Sequence, residues 1–330
     1  MREAIEQFDC FGGSCAVLVA GSGPAGSAHD AAARVRRRLL AWHDQFSRFL
    51  PNSELSRLNA DPRHVVPVSP TMARFVATAT SAARVTGGLV DPTLVDDVEA
   101  AGYSRTLSWE SLPLTRALLL APGRVPGRGR APSAWAEIEV DRVARTVTRP
   151  PGVRLDSGGI FKGLCGDMLA AVLGRHVSFA VDAAGDVRFG GAGEWRRPVR
   201  VTSPFDNSLL HMFELVHGAA ATSGIGRRSW LGEDGRPAHH LLDPATGRPA
   251  FTGVVQVTAL APTGVEAETR SKAALLSGPA AATDWLVDGG VVVFDDSTCA
   301  VVEPSAALLG GSVVKPSAAL LGGSVVKMAA

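Results

Sequence analysis

Apolar residues crowd together in "CAVLVA" (15–20), as they do in a buried strand, and then spread to helical intervals over 27–46 and 70–86. In the second of these stretches Met72, Phe75, Val76 and Ala79 fall on one face. The two predicted helices flank "FSRFLPNSELSRLN" (46–59). Residues 121–134, "APGRVPGRGRAPSA", are dense in Pro, Gly and Arg and predict a flexible surface loop, an insertion rather than a site. The next stretch, "AWAEIEVDRVARTVTRP" (134–150), alternates like a hairpin. In "VRLDSGGIFKGLCGDMLAAVLG" (153–174) a predicted strand passes through Ser157-Gly158-Gly159 into a helix with Phe161, Leu164, Cys165, Met168, Leu169 and Val172 on one face. Strands and helices alternate irregularly, without the repeated βαβ units of a doubly wound sheet. That order predicts one α+β unit with a mixed, largely antiparallel sheet.

The C-terminus carries a duplication, "PSAALLGGSVVK" at 304–315 and again at 316–327. Two copies are too few for a repeat architecture. The expected division is therefore a domain over 1–303 and a non-catalytic tail over 304–330.

Composition narrows the function classes. The chain has 330 residues, 46% of them hydrophobic, which is ample for a core, and a formal net charge of +1, which removes the electrostatic case for a nucleic-acid binder. Arg34, Arg36, Arg37 and Arg38 then read as a solvated helix face. Cys10, Cys15, Cys165 and Cys299 show no CxxC spacing and read as free thiols of a reducing compartment. No segment reaches the length of a membrane span and the first residues lack an export pattern, so a cytoplasmic protein is expected.

Two glycine-rich turns invite a nucleotide. Gly21-Ser22-Gly23-Pro24-Ala25-Gly26 has the spacing of a dinucleotide-binding loop, but no short strand ending in an acid follows it. It reads as a strand-to-helix connection. Gly158 and Gly159 precede a helix whose first turn holds Lys162, an arrangement suited to a phosphate through unpaired N–H groups and a mobile cation. Taken singly it reads equally as a tight turn. The same holds for "TGGLVDPTLVDDV" (86–98) with Asp91 at a loop tip and for "FAVDAAGDVRFGG" (179–191) with Asp182 and Asp186 beside a glycine bend. It holds also for "ATSGIGRRSW" (221–230) with Thr222 and Ser223, and for "HHLLDPATGRPA" (239–250) with His240 and Asp243.

Together and in this order, from about Phe11 to Asp296, these blocks closely resemble the ApbE family, the FAD:protein FMN transferases. The resemblance implies a cofactor cleft between two lobes and flavin contacts from Phe11, Phe49, Leu89, Val90, Asp91, Asp156, Lys162 and Leu241, with the pyrophosphate near Gly158, Gly159 and Lys162. Phe49 stands where the family usually has Tyr, which keeps an aromatic face and removes a hydroxyl. The implied reaction is attack of a Ser or Thr hydroxyl of an acceptor protein on the FMN-side phosphorus of FAD, with AMP departing. His240 is the nominated acid–base group, Lys162 and Lys272 the phosphate-charge stabilisers; His239 or His240 bracing the following turn is the structural alternative. In the family Mg²⁺ is held by a carbonyl of the Gly-rich turn and by an Asp and a Thr one helical turn apart. Here those positions are Gly159, Glu268 and Lys272, within "VEAETRSKAALLSG" (265–278). Either Glu268 and Lys272 form an ordinary i,i+4 surface pair, or the Lys272 ammonium stands in place of the ion. The alternatives in function are an FAD-holding relative without transfer activity and an FAD pyrophosphatase.

Overall fold

The computed structural model describes residues 2–105, 111–309 and 325–327, and the statements below refer to these. Nine strands lie side by side in chain order: Glu3–Cys10, Gly13–Ala20, Ser178–Ala183, Asp186–Gly190, Gly218–Gly224, Val254–Ala261, Gly290–Phe294, Cys299–Val302 and Val325–Lys327. Every neighbouring pair is antiparallel except the last, which is parallel, so the sheet is mixed and largely antiparallel as expected.

Seven α-helices accompany it: α1 (Ala28–Phe46), α2 (Glu54–Ala60), α3 (Pro70–Val85), α4 (Val95–Ala100), α5 (Leu114–Leu120), α6 (Phe161–Leu173) and α7 (Gly264–Ser277). Their starts follow capping chemistry. Ser27, Ser53, Ser69 and Thr263 each accept an N–H of the first turn, and Pro70 opens α3 where its missing donor costs nothing. α1 exposes Arg34, Arg36, Arg37 and Arg38 and buries Val35, Leu39, Trp42 and Phe46.

All of α1 to α6 is inserted between the second and third strands of the sheet. α1, α3 and α6 form one core with the first hairpin and with Phe179 and Val181. A second core gathers Ala274, Leu275 and Leu276 of α7 with Val257, Ala259 and Val291 to Val293 of the sheet. α6 and α7 meet at Gly163 and Gly264, where a Cβ on Gly163 would lie 2.3 Å from the Gly264 carbonyl oxygen. The cleft between the two cores opens beside this contact.

Three expectations change. Residues 153–156 are not a strand: Asn59 takes the place of a neighbouring strand by exchanging two side-chain hydrogen bonds with the Leu155 backbone, both at 2.8 Å. The stretch 121–133 is irregular, as expected, but it is anchored and not a loose insertion. Val125 N–H donates to Phe251 O (2.9 Å), Gly127 N–H to Leu276 O (2.7 Å) and Arg128 N–H to Asp243 Oδ1 (2.8 Å). Thr222 and Ser223 lie in a sheet strand, not in a turn; Thr222 Oγ1 meets Thr258 Oγ1, and Ser223 Oγ meets Ser271 Oγ, both at 2.8 Å.

The opening residues of the C-terminal duplication pack on the sheet: Leu308 is buried and its carbonyl accepts the Val216 N–H at 3.1 Å. Residues 310–324 of the two copies lie outside the described residues.

Candidate active site

The cleft encloses about 430 Å³ and is lined in part by aromatic rings. Phe11 and Gly12 turn the first hairpin with φ of 53° and 72°, a left-handed pair that costs Phe11 backbone strain and brings its ring to the cleft wall. Its centroid lies 5.6 Å from that of His43 and 6.3 Å from that of Phe161, and Phe161 stacks on Phe46 at 3.7 Å. On the facing side Phe49 meets Tyr103 edge to face at 5.5 Å, and the Arg48 guanidinium lies 4.3 Å and 4.7 Å from their two centroids. Arg48 is itself fixed by Glu99 (3.4 Å), Asp156 (3.8 Å) and the Tyr103 carbonyl (2.5 Å). Two aromatic walls with an apolar floor of Leu89, Val90 and Leu241 suit a flat ring system.

Polar groups punctuate the middle of the cleft. The Leu89–Asp91 loop leaves α3 through left-handed Gly87 and Gly88. Asp91 Oδ1 accepts the Thr93 N–H (2.7 Å) and hydroxyl (2.5 Å), while its Oδ2 is buried without a protein partner. Burial raises the pKa of Asp91, against the lowering by Thr93. A buried acceptor in this state calls for a donor from a ligand or an ordered water. Asp156 Oδ1 accepts the Gly158 N–H (2.9 Å) and so shapes the Ser157–Gly159 turn. The Asp156 N–H donates to Pro92 O (2.9 Å), tying that turn to the Asp91 loop.

The cleft also carries a cluster of charges. The hairpin turn at Ala184 and Gly185, with φ of 55° and 98°, sets Asp182 and Asp186 at the strand ends. Asp186 Oδ2 pairs with Lys162 Nζ at 2.6 Å. Lys272 Nζ pairs with Glu268 Oε1 at 3.0 Å, and Glu268 Oε2 accepts the Gly163 N–H at 2.8 Å. Glu268 thus takes the Gly163 N–H in the first turn of α6, and the Lys162 and Lys272 side chains line the cleft beside it. Arg228, whose Nη2 donates to Phe11 O at 3.2 Å, joins Lys162 and Lys272 there. Burial opposes the Lys162 charge, but Asp186 and Glu268 outweigh it and hold the ammonium above its ordinary pKa. Burial raises Glu268, with Lys272 acting against it.

Phe11, Phe49, Leu89, Val90, Asp91, Asp156, Gly158, Gly159, Lys162, His240, Leu241 and Lys272 all line this one cleft, with Glu268 fully buried behind Lys272. The Gly21–Gly26 turn lies elsewhere, against His176. Asp243 serves its own turn, accepting from Arg128 N–H and from Thr246 Oγ1 (2.9 Å). The sequence reading did not single out Arg48, Tyr103 or Arg228, although Arg48 and Arg228 lie inside blocks it quoted.

The two adjacent histidines separate cleanly. His239 is 1% exposed, accepts the Leu241 N–H on Nδ1 (3.3 Å) and sits edge-on to Phe251 at 4.8 Å. It is the structural member. Burial pushes its pKa down to about 3. Below pH 6.5 the unfolded chain binds a proton there that the folded one refuses until about pH 3, so stability is full above that window and falls through it as pH drops. His239→Gln is expected to flatten the acid limb of a urea-unfolding stability profile by up to about 1.4 kcal/mol per pH unit; an unchanged limb would remove this linkage. His240 lines the cleft; burial first, then Arg228, His239 and Lys272, hold its pKa well below the ordinary value, so the imidazole is neutral.

A divalent ion does not fit the residues at Gly159 and Glu268. Both Glu268 oxygens are engaged, by an ammonium and by a backbone N–H, and the neighbouring position supplies Lys272, which has no lone pair to donate. Among the described residues no group of three His, Cys, Asp or Glu side chains is arranged to hold a metal ion.

A meandering sheet carries one cleft lined by aromatic rings and by Lys162, Lys272 and Arg228. The chain belongs to the ApbE family, whose sequence model matches residues 11–294. The FAD:protein FMN transferase of Salmonella typhimurium is 24% identical over 237 residues, covering 69% of this chain and 65% of that protein, so the match spans less than two thirds of the relative's length. The ApbE protein of Thermotoga maritima superposes with a TM-score of 0.71 at 24% identity, covering 90% of this chain and 96% of that one. The flavinyl transferase ApbE of Pseudomonas stutzeri also gives 0.71, at 20% identity, covering 95% and 98%.

Proposed function

We propose that this protein transfers FMN from FAD to a Ser or Thr hydroxyl of an acceptor protein, releasing AMP. The observation that carries the proposal is the single cleft that gathers Phe11, Phe49 and Tyr103 with Lys162, Lys272 and Arg228. The name of the Salmonella relative supports it. The aromatic rings hold the isoalloxazine, with the Asp91 carboxylate offering a buried acceptor, and the pyrophosphate reaches the cations. The acceptor oxygen forms a bond to the FMN-side phosphorus as the bond from that phosphorus to the bridging oxygen breaks. AMP leaves with that oxygen. The hydroxyl proton passes to the neutral His240 imidazole, whose depressed basicity the neighbouring pyrophosphate charge raises, and then to solvent. The lysines neutralise charge on the phosphoryl oxygens.

Incubation with FAD and an acceptor carrying a Ser/Thr flavinylation motif, followed by mass spectrometry, tests this. A covalent FMN mass shift is expected. FAD binding without a shift assigns the non-transferring alternative, and free FMN plus AMP without acceptor assigns the pyrophosphatase. In single-turnover transfer His240→Asn is expected to lose roughly 10²–10⁴-fold, and His239→Asn to keep the rate of its folded fraction. Equal rates would remove His240 from the chemistry.

Among the described residues no helix is long and apolar enough to cross a membrane. The four cysteines are buried free thiols, which supports a reducing, cytoplasmic location.

A further inference from the structure

We infer that this chain meets the pyrophosphate of its dinucleotide with fixed side-chain cations, Lys272 together with Lys162 and Arg228, in place of a divalent metal ion. The inference rests on the FAD reading above and specifies how that site handles charge.

Position is the first ground. Lys272 lies on the face of α7 turned to the cleft, 13% exposed, and its Cε lies 3.9 Å from where a Cβ on Gly159 would be. The ammonium is therefore over the glycine turn that the resemblance assigns to the ion, not out in solvent as a surface pair would be. Glu268, the carboxylate that remains of the family's metal set, is turned to Lys272 on one oxygen and to the Gly163 N–H on the other. Glu268 is fully buried, so turning it away from these two partners would strand its charge. A small hard cation requires several oxygen donors in a near-octahedral set, and an ammonium at the same place repels it.

Donor supply is the second ground. Each anchoring carboxylate divides its charge between a lysine and the backbone: Glu268 also binds the Gly163 N–H, and Asp186 also accepts the Thr222 N–H at 3.2 Å. An ammonium has three donors and a guanidinium five. The ion pairs of Lys162 and Lys272 and the Arg228 bond to Phe11 O orient these groups while leaving N–H capacity for phosphate oxygens. Arg228 is oriented by a carbonyl, Phe11 O, and not by a carboxylate, so among the described residues no ion pair offsets its charge toward an anion in the cleft.

The test follows FAD affinity by flavin fluorescence in the full chain, with EDTA and with millimolar MgCl₂, beside the transfer assay. Affinity is expected to agree within about twofold between the two conditions. Lys272→Met is expected to weaken FAD by roughly 10–100-fold in EDTA, the loss of one charge-assisted contact, with no rescue by Mg²⁺. Glu268→Asp with Lys272→Thr, which restores an oxygen pair, is expected to bind FAD at least about tenfold tighter with Mg²⁺ than without. Should either variant fail to fold, the comparison on the unmodified protein decides. Binding there that tightens about tenfold or more on adding Mg²⁺ overturns the inference. Mg²⁺-independent FAD binding without FMN transfer keeps it and defeats the transferase reading; transfer that requires Mg²⁺ does the reverse; no FAD binding in either condition defeats both.

Discussion

Gly163→Ala is expected to destabilise the protein by roughly 3 kcal/mol and to lower its melting temperature by roughly 4 °C. A helix-interior glycine replaced by alanine ordinarily gains about 1 kcal/mol. Here the new Cβ would lie 2.3 Å from the Gly264 carbonyl oxygen, 2.5 Å from its carbon and 2.9 Å from the Val265 nitrogen. These are backbone atoms, so no rotamer change relieves the overlap and α6 must move from α7. The movement pulls on Gly163 N–H to Glu268 (2.8 Å) and on the Asp167 carboxylate that accepts the Gly264 and Val265 N–H groups (2.7 and 3.0 Å). FAD affinity should fall with stability, because Lys272 is set by the same contact. Gly159→Ala is the control for stability: its Cβ would meet nothing nearer than Lys272 Cε at 3.9 Å, and its thermal transition should stay within about 1 kcal/mol of the parent. A Gly163→Ala protein melting with the parent would mean that the two helices part at no cost.

What was legible in the sequence was what neighbours along the chain decide. α1 and α3 announce themselves by helical spacing, by Ser27 and Ser69 as caps, and by Pro70 at the first turn. The family blocks marked residues that do converge on one cleft. What was illegible depends on partners far away. Val153–Asp156 has a strand-like apolar pattern, yet its hydrogen-bond partner is the Asn59 side chain. The Pro/Gly/Arg composition of 121–133 says that the segment is irregular, but not that Gly129 lets it pass so close to Gly87 that a Cβ would lie 2.1 Å from the Gly87 carbonyl oxygen. Arg48 looks like a polar link between two helices until Glu99 and Asp156 close on it. The spacing of Glu268 and Lys272 fixes their pairing without revealing which face of α7 is buried, and it is that burial which turns an i,i+4 pair into part of the cleft.

Lys162 carries the second large effect, and there stability and binding can be separated. Lys162→Met leaves Asp186 Oδ2 without its cation on a side chain only 5% exposed, and removes a positive charge that also favours the Glu268 carboxylate. Breaking one side of a buried pair costs about 3–5 kcal/mol, mostly the penalty of the stranded charge. Adding Asp186→Asn removes that charge and keeps an oxygen for the Thr222 N–H, so urea unfolding of the double variant should recover all but about 1–2 kcal/mol. FAD affinity should not recover, because the ammonium facing the pyrophosphate is still missing; a deficit of roughly tenfold or more is expected in both variants. If the double variant regains parental affinity, Lys162 serves only as the counterion of Asp186 and is not a phosphate ligand. If Lys162→Met by itself changes neither the unfolding curve nor the binding, the ion pair is too well solvated to matter and the charge of this cleft rests on Lys272 and Arg228.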